Sequence, residues 1–186
     1  MIVFAIVLLV VVLWVVWMFN NLVRLRNKAA NAFKQIDVQL KRRYDLIPNL
    51  VNSVKGEMKF EQATLEKVIQ ARAAAMNAGS SGNMSEMMAK EGMLTQALGK
   101  LIALSENYPS LKANESVKTL MEELTHTENQ IGFSRQFYND IVTQFNTEQQ
   151  VFPTNMIASA LGFSPAELFE LPADSAERAV PKVELQ

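Results

Sequence analysis

The sequence predicts an all-α protein in which an N-terminal transmembrane helix precedes an up-and-down bundle of three to four long helices. Three observations support this fold class. Residues 2–19 form an unbroken apolar run. Beyond it, apolar residues recur at intervals of three and four, the period of an α-helix, and no stretch alternates as a strand would. The 186 residues include only 7 glycines and 6 prolines, so helix-breaking residues are scarce.

The apolar run predicts a membrane anchor over residues 1–22. Its 18 residues are the minimum usually needed to cross a hydrocarbon core of about 30 Å. A cleaved signal peptide needs a basic leader and a small-residue cleavage site, and the sequence around the run offers neither. A buried core helix is the alternative, but soluble helices are rarely apolar on every side over this length. We therefore expect the segment to remain attached.

The residues flanking the run predict its orientation. Trp14 and Trp17 are expected near one membrane interface, where amphipathic rings are favoured. The nearest basic residues, beginning with Arg24 and Arg26, all follow the run, and basic flanks stay in the cytoplasm. We expect the N-terminus outside and residues 23–171 in the cytoplasm.

Two amphipathic helices are expected directly after the anchor. The first runs from about residue 22 to 47, and the second from about residue 50 to 76. The composition of AGSSGN predicts a turn after the second helix.

Two more helices follow that turn. The third begins at Asn83, a suitable N-cap, with Glu86 three residues later as in a capping box, and it extends to about Leu104. SENYPSLKAN interrupts the pattern. The fourth helix, residues 117–145, keeps a strict seven-residue repeat, which predicts coiled-coil-like packing against its neighbours.

Short elements are expected at the C-terminal end. PTNMIASALG predicts a turn of helix ended by Gly162, and Ser164 begins a second one with proline at its first position. Both are expected to fold back over the end of the bundle. Residues 172–186 contain two prolines and no periodicity, so we expect a frayed tail.

The stretch DVQLKRRYDLIPNLV raises the question of a helix break. Proline inside a helix costs on the order of 3 kcal/mol, because it lacks the N–H and its ring crowds the preceding turn. If Asp45 caps a new helix, Pro48 falls in its first turn, where the missing N–H has no partner to lose. The apolar phase continues through this stretch, which favours a kink over a full reversal.

Charge is unevenly distributed along the chain. Residues 20–55 carry a net charge of +6 and the remainder −7. Such complementary parts favour association, within one chain or between copies, over nucleic-acid binding, which normally requires an uncompensated basic face. Lys41, Arg42 and Arg43 would complement the dipole at the end of the first predicted helix. Anionic lipid headgroups or an acidic protein partner are the functional alternatives.

Residues suited to catalysis or metal binding are scarce. There is one histidine, His126, there is no cysteine, and no glycine-rich phosphate loop is visible. A group of methionines near residue 88 is expected to fill the core rather than bind Cu(I). Asp45 beside Arg42 or Arg43 would be a thin active site, because arginine does not shuttle protons at neutral pH. The sequence therefore predicts no cofactor and no enzymatic activity.

Several long stretches resemble the LemA family. These are LVRLRNKAANAFKQIDVQLKRRYDLIPNLVNSVKG, LEKVIQARAAA, TENQIGFSRQFYNDIV and VFPTNMIASALGF, in the family's order. The resemblance implies a single-pass protein of the bacterial inner membrane with a cytoplasmic helical bundle, and it implies no established reaction. The recurring family residues that map onto this chain are Arg42, Arg43, Asp45, Pro48, Asn49, Arg135, Tyr138 and Asn139.

Three of these residues, Asn49, Arg135 and Asn139, are polar and lie near apolar seams. We expect them to form a hydrogen-bonded layer that fixes how the fourth helix docks near the break between the first two.

The leading functional hypothesis is a non-enzymatic membrane-tethered scaffold or adaptor, whose bundle meets other copies or a protein partner. The alternative is a membrane-remodelling protein that acts on anionic lipid through the basic first helix. An enzyme of unknown reaction is the weakest hypothesis.

Overall fold

The structure is a computed structural model that describes residues 1–56, 58 and 61–170. The helices of the described residues are α1 (Ile2–Val54), α2 (Gln62–Ser80), α3 (Met84–Ser105), α4 (Pro109–Ala113), α5 (Glu115–Gln150) and α6 (Thr154–Ala160). None of the described residues lies in a β-strand, which confirms the all-α prediction. The predicted tail, residues 172–186, lies outside the described residues.

The chain divides into two compact units. We call the first the anchor unit; it contains Met1–Val38 and Ile131–Leu168. The second, the bundle unit, contains Gln39–Gln130 and, of the described C-terminal residues, Phe169 and Glu170. Two of the three boundaries, at 38/39 in α1 and at 130/131 in α5, fall inside helices, so both helices contribute to both units. The predicted division at residue 22 refers to the membrane and stays a prediction.

The N-terminal part of α1 is apolar and exposed on every face. Residues 1–17 are all exposed, and only 6% of the most apolar window of the helix is buried. A core helix of a soluble protein would be mostly buried, so the chain itself does not supply the apolar surroundings that this segment needs. Among the described residues, α1 is the helix long and apolar enough to cross a membrane.

The rest of the anchor unit is built on α1 and α5, which run antiparallel. Near the end of the apolar run, Leu22 and Leu25 form a small core with Phe145 of α5 and Ala158 of α6. Further along α1, Phe33 meets Tyr138, an earlier residue of α5, edge to face with 5.7 Å between ring centroids. The C-terminal end of α5 therefore points towards the apolar run of α1.

Helix α6 ends as the sequence predicts, with Gly162 at a φ of +71°, a conformation that costs glycine least. The second predicted turn of helix, at Ser164, is wrong, because residues 163–170 are not helical. The Asn146 side chain instead binds both backbone groups of Ala166, at 2.8 and 2.9 Å, and the Tyr138 hydroxyl donates to the Glu167 carbonyl at 2.9 Å. Side chains of α5 thus form hydrogen bonds with backbone groups that would pair with each other in a helix.

An apolar core of the bundle unit joins the C-terminal part of α1 to α2, α3, α4 and the N-terminal part of α5. Its buried residues are Ile47, Leu50, Val51, Val54, Met58, Leu65, Val68, Ala75, Leu94, Leu98, Leu101, Leu111, Val117 and Leu124. Asn83 caps α3 as predicted, because its side chain accepts from the Glu86 N–H at 3.1 Å. The Asn83 N–H itself donates to the Ser81 hydroxyl at 3.3 Å.

The chain does not reverse at Pro48: α1 continues through the proline to Val54, as the continuous apolar phase favoured. The expectation of a second helix from about residue 50 is wrong, because α2 begins only at Gln62. Asp45 accordingly lies exposed inside α1 and does not cap a helix. Two contributions offset the cost of the proline. The apolar face of α1 stays buried on both sides of Pro48, and Arg72 Nε of α2 donates to the Tyr44 carbonyl at 2.8 Å. That carbonyl is the group that loses its intrahelical donor when residue 48 is proline.

We predict that Pro48 and Arg72 are energetically coupled. Arg72→Met should lower the free energy of unfolding by about 1–3 kcal/mol, because it withdraws a donor from a carbonyl that the helix cannot satisfy. In a Pro48→Ala background the same change should cost much less, since the alanine N–H restores the helical bond. Denaturant unfolding of the full-length protein in detergent measures this double-mutant cycle.

Lys67→Met, at an exposed position of the same helix, is the matched control and should be nearly neutral in both backgrounds. Equal costs of Arg72→Met with and without the proline would contradict the coupling.

Candidate functional site

The most buried charge of the bundle unit is Arg43, which is 1% exposed. Its guanidinium lies between two carboxylates from two other helices. Nη2 pairs with Glu91 Oε2 of α3, and Nη1 pairs with Glu128 Oε2 of α5 at 2.5 Å. Nη1 also donates to Thr95 Oγ1 of α3 at 3.0 Å. One side chain of α1 thus binds both α3 and α5.

Each carboxylate has a second donor on its other oxygen. The Tyr44 hydroxyl donates to Glu91 Oε1, and Thr95 Oγ1 donates to Glu128 Oε1 at 2.9 Å. All four carboxylate oxygens therefore accept a hydrogen bond or an ion pair from within the chain. We call this set of residues, Arg43, Tyr44, Glu91, Thr95 and Glu128, the Arg43 cluster.

The cluster places charged side chains in the interior of the bundle unit, and this burial determines how much free energy they cost. Glu91 is 5% exposed, so it and Arg43 have both lost their hydration. A desolvated charge costs several kcal/mol unless its partner and further hydrogen bonds compensate. Three further groups, the Tyr44 hydroxyl, Thr95 Oγ1 and Glu128, supply that compensation, although Arg43 Nε is buried without an acceptor.

Arg42, next in the chain, has a different environment. It is exposed and lies 3.8 Å from Glu123 of α5, whose side chain is 44% exposed, so this is a surface ion pair. Neither arginine completes a helix C-terminus, because α1 continues to Val54, and the helix-dipole explanation is therefore wrong. Arg43 is also buried, so it does not face lipid headgroups or a separate protein. Their acidic partners lie on the same chain.

The remaining sequence candidates fall into different parts of the molecule. Asp45 and Asn49 are exposed on α1 in the bundle unit, whereas Arg135 and Asn139 are half-buried on α5 in the anchor unit. Because Asn49 belongs to a different unit from the other two, the predicted layer is present in neither unit by itself. The polar layer that the bundle unit contains is the Arg43 cluster.

Tyr138 is a structural residue of the anchor unit. Its ring packs on Phe33, and its hydroxyl donates to the Glu167 carbonyl, so it joins α1, α5 and the C-terminal segment. Burial raises the pKa of the Tyr138 hydroxyl, and the negative charge of Glu167 raises that pKa further. The hydroxyl consequently stays protonated and able to donate at neutral pH.

The predicted interface residues Trp14, Trp17, Arg24 and Arg26 are all exposed. The Arg26 guanidinium carbon lies 6.0 Å from the centroid of the Phe163 ring, at the limit of a cation–π contact. Their contact with a membrane interface stays a prediction.

The acidic half of the Arg43 cluster and the donor Arg72 are not predicted from the sequence. One signal could have revealed Glu91. It continues the helical spacing of the buried residues Met87, Leu94, Leu98 and Leu101, so it is a carboxylate at a core position of α3. A charge at such a position requires a buried partner.

Asp45 and Arg43 do not form the active site considered from the sequence, and Arg42 pairs with Glu123 of α5. Residues two apart on a helix do not face each other, and Asp45 is exposed while Arg43 is buried. Within the described ranges, no three His, Cys, Asp or Glu side chains lie close enough to hold a metal ion. His126 is exposed and lines an open groove of about 570 Å³ between α4 and α5, together with Lys112 and Lys118.

Comparison with known proteins gives one family. The model of the LemA family matches residues 32–185. The chain is 28% identical over 151 residues to protein LemA of Metamycoplasma hominis, covering 81% of this chain and 68% of that protein. It is 25% identical over 175 residues to magnetosome protein MamQ 2 of Paramagnetospirillum magneticum, covering 82% of this chain. The alignment spans 64% of that relative's length, slightly less than two thirds.

We predict a large difference in stability between substitutions of the two adjacent arginines. Arg43→Gln should lower the free energy of unfolding by about 3–5 kcal/mol, because it leaves the buried Glu91 carboxylate without its countercharge. The matched control, Arg42→Gln, removes an exposed pair and should cost about 1 kcal/mol or less. Denaturant unfolding of the full-length protein in detergent measures both.

Should Arg43→Gln fail to fold, Arg43→Lys retains the positive charge and should be intermediate, since one ammonium cannot reproduce the two-sided guanidinium contact. Equal stabilities of the Arg42 and Arg43 variants would show that the cluster does not hold the bundle together.

Proposed function

The chain belongs to the LemA family, and from this premise we propose that it is a non-enzymatic, membrane-tethered scaffold that presents its helical bundle to protein partners in the bacterial cytoplasm. The family assignment and the exposed apolar helix indicate a membrane-associated protein. The scaffold role, the partners and the orientation are our proposal.

The observation that most supports a scaffold is that both carboxylates of the Arg43 cluster have all their oxygens bound by groups of the same chain. A general acid or base must have a carboxylate oxygen free to reach substrate. In the Arg43 cluster every carboxylate oxygen is already bound by Arg43, Tyr44 or Thr95. The carboxylates that could have served in catalysis are thus used to hold helices together. A rigid binding platform requires such contacts between its helices.

Helix α1 supplies the tether. It is one continuous helix from Ile2 to Val54, so the apolar segment is joined to the bundle unit without an intervening loop. Proteins that bind the bundle unit would therefore be held near the membrane, where their effective concentration rises.

The exposed apolar residues of the bundle unit are candidates for partner contact. Ile69 and Met76 of α2 and Met93 of α3 are 43–57% exposed. Methionine is well suited to such a surface, because its flexible side chain adapts to different partners. We propose that partners meet these two helices.

Membrane remodelling through basic α1 is the second candidate, and the structure restricts where it would act. Arg42 and Arg43 are engaged by acidic residues of the same chain. The cations nearest the apolar run, Arg24, Arg26 and Lys28, are exposed and remain available to anionic headgroups. This alternative therefore depends on the anchor unit rather than on the KRR sequence.

Photocrosslinking in cells tests the scaffold proposal. A photoreactive residue placed at Ile69 or Met93 of the full-length protein should give discrete protein adducts, whose masses identify a partner or a second copy. The same residue at Gln70, which is exposed and polar on α2, is the matched control and should give fewer. If both apolar positions give no protein adducts while residues 24–28 give lipid adducts, remodelling is favoured over scaffolding.

Topology provides a separate prediction. A reporter fused after Gln186 should be active in the cytoplasm, because the basic excess lies on the C-terminal flank of the apolar run. The control is a chain with lysines added before residue 2 and with Arg24 and Arg26 replaced by glutamine, which should weaken or invert the preference. Export of the unmodified fusion would contradict a cytoplasmic scaffold.

A further inference from the structure

The segment of residues 151–163, which contains the turn after α5 and helix α6, exposes large apolar side chains. Phe152 is 80% exposed, Met156 65%, Leu161 55% and Val151 43%. Four such residues within eleven positions form an unusual surface for water, and exposed apolar patches of this kind mark sites of interaction.

This turn also contains no charge. Residues 151–163, VFPTNMIASALGF, include no Asp, Glu, Lys or Arg. Side chains facing water in a soluble domain normally include charged groups. This segment of 13 residues has none, so moving it out of water avoids the large free-energy cost of desolvating a charge.

The segment lies beside the last residues of the apolar run. Thr154 Oγ1 donates to Met18 Sδ at 3.7 Å, and the Phe163 ring packs edge to face on Phe19 with 6.1 Å between centroids. At 1.5 Å per residue the run of residues 2–19 is about 27 Å long, close to the thickness of a hydrocarbon core. A run of this length that spans the bilayer would leave the lipid at about Met18 and Phe19.

The course of α5 brings the turn to the same level. Because α5 runs antiparallel to α1, the chain approaches the end of the apolar run as it passes from Tyr138 to Phe145. It reverses at residues 151–153, beyond Phe145 in the same direction. The tip of the reversal thus lies level with the end of the apolar run.

We infer that residues 151–163 rest on the lipid bilayer beside the point where α1 leaves it, with Phe152 and Met156 inserted among the acyl chains at the interface. The inference depends on the membrane tether of the proposed function but not on its protein partners. Lipid is favoured over a protein occupant because this surface is continuous with the lipid-facing surface of α1. The nearby cation Arg26, over the Phe163 ring, is placed to meet anionic headgroups.

Spin labelling tests this placement, since the natural chain has no cysteine and each introduced cysteine is unique. Phe152→Cys and Met156→Cys, labelled with a nitroxide in the full-length protein, are reconstituted in bilayers of phosphatidylethanolamine and phosphatidylglycerol. Oxygen concentrates in the bilayer, and a water-soluble nickel chelate is excluded from it. Both labels should be relaxed more by oxygen than by nickel.

Two controls define the scale. Phe133→Cys lies on α5 in the same unit, and the native Phe133 is 66% exposed. It is about 28 Å along the helix axes from the level of Phe19, so nickel should dominate there. Val10→Cys lies in the middle of the apolar run and should show the strongest preference for oxygen.

The outcomes separate this inference from the tether. Preference for nickel at residues 152 and 156, with oxygen preferred at residue 10, would overturn the inference and leave the tether intact. Preference for nickel at residue 10 would overturn both. Protection of residues 152 and 156 from both reagents, with broadening from neighbouring spins, would assign the surface to a second copy and also overturn the inference.

Discussion

The bundle unit depends on the burial of one charge, the guanidinium of Arg43. A cation in an apolar core must be paired, and the partners Glu91 and Glu128 come from two different helices. Sliding α1 by one turn, about 5.4 Å, would separate the guanidinium from both carboxylates and leave two desolvated charges without partners, those of Arg43 and Glu91. Apolar side chains tolerate such a shift more readily, because their contacts are not directional. We therefore regard the cluster as the feature that selects one register of α1 against α3 and α5.

The same part of α1 carries a second polar tie. Pro48 deprives the Tyr44 carbonyl of its helical donor, and Arg72 of α2 supplies one at 2.8 Å. Tyr44 also donates to Glu91 through its hydroxyl. The stretch KRRYDLIPNL is thus neither a hinge between two helices nor an exposed docking site as a whole. It is the segment where α1 is fixed to α2, α3 and α5.

Local patterns predict most helices. The features that they do not predict, the donor to the Tyr44 carbonyl and the burial of Arg43, depend on tertiary contacts. Capping by Asn83, termination at Gly162 and the repeat of α5 depend on residues close in sequence. The continuity of α1 through Pro48 agrees with its unbroken apolar phase, but the donor to the Tyr44 carbonyl is Arg72, a distant residue that no local pattern indicates. Arg43 was misjudged for a similar reason, since arginine is usually exposed and its partners lie on other helices.

The distribution of charge also has a physical consequence for function. Part of the basic excess of residues 20–55 is neutralised within the chain, through Arg42 and Arg43, which leaves the basic residues near the apolar run exposed. A single helical tether lets a domain tilt and rotate at the membrane surface. A second contact through residues 151–163 would join α5 to the same surface and restrict that freedom for the anchor unit. Because α5 is one helix from Glu115 to Gln150, its restriction would extend along a helix that also contributes Glu128 to the Arg43 cluster.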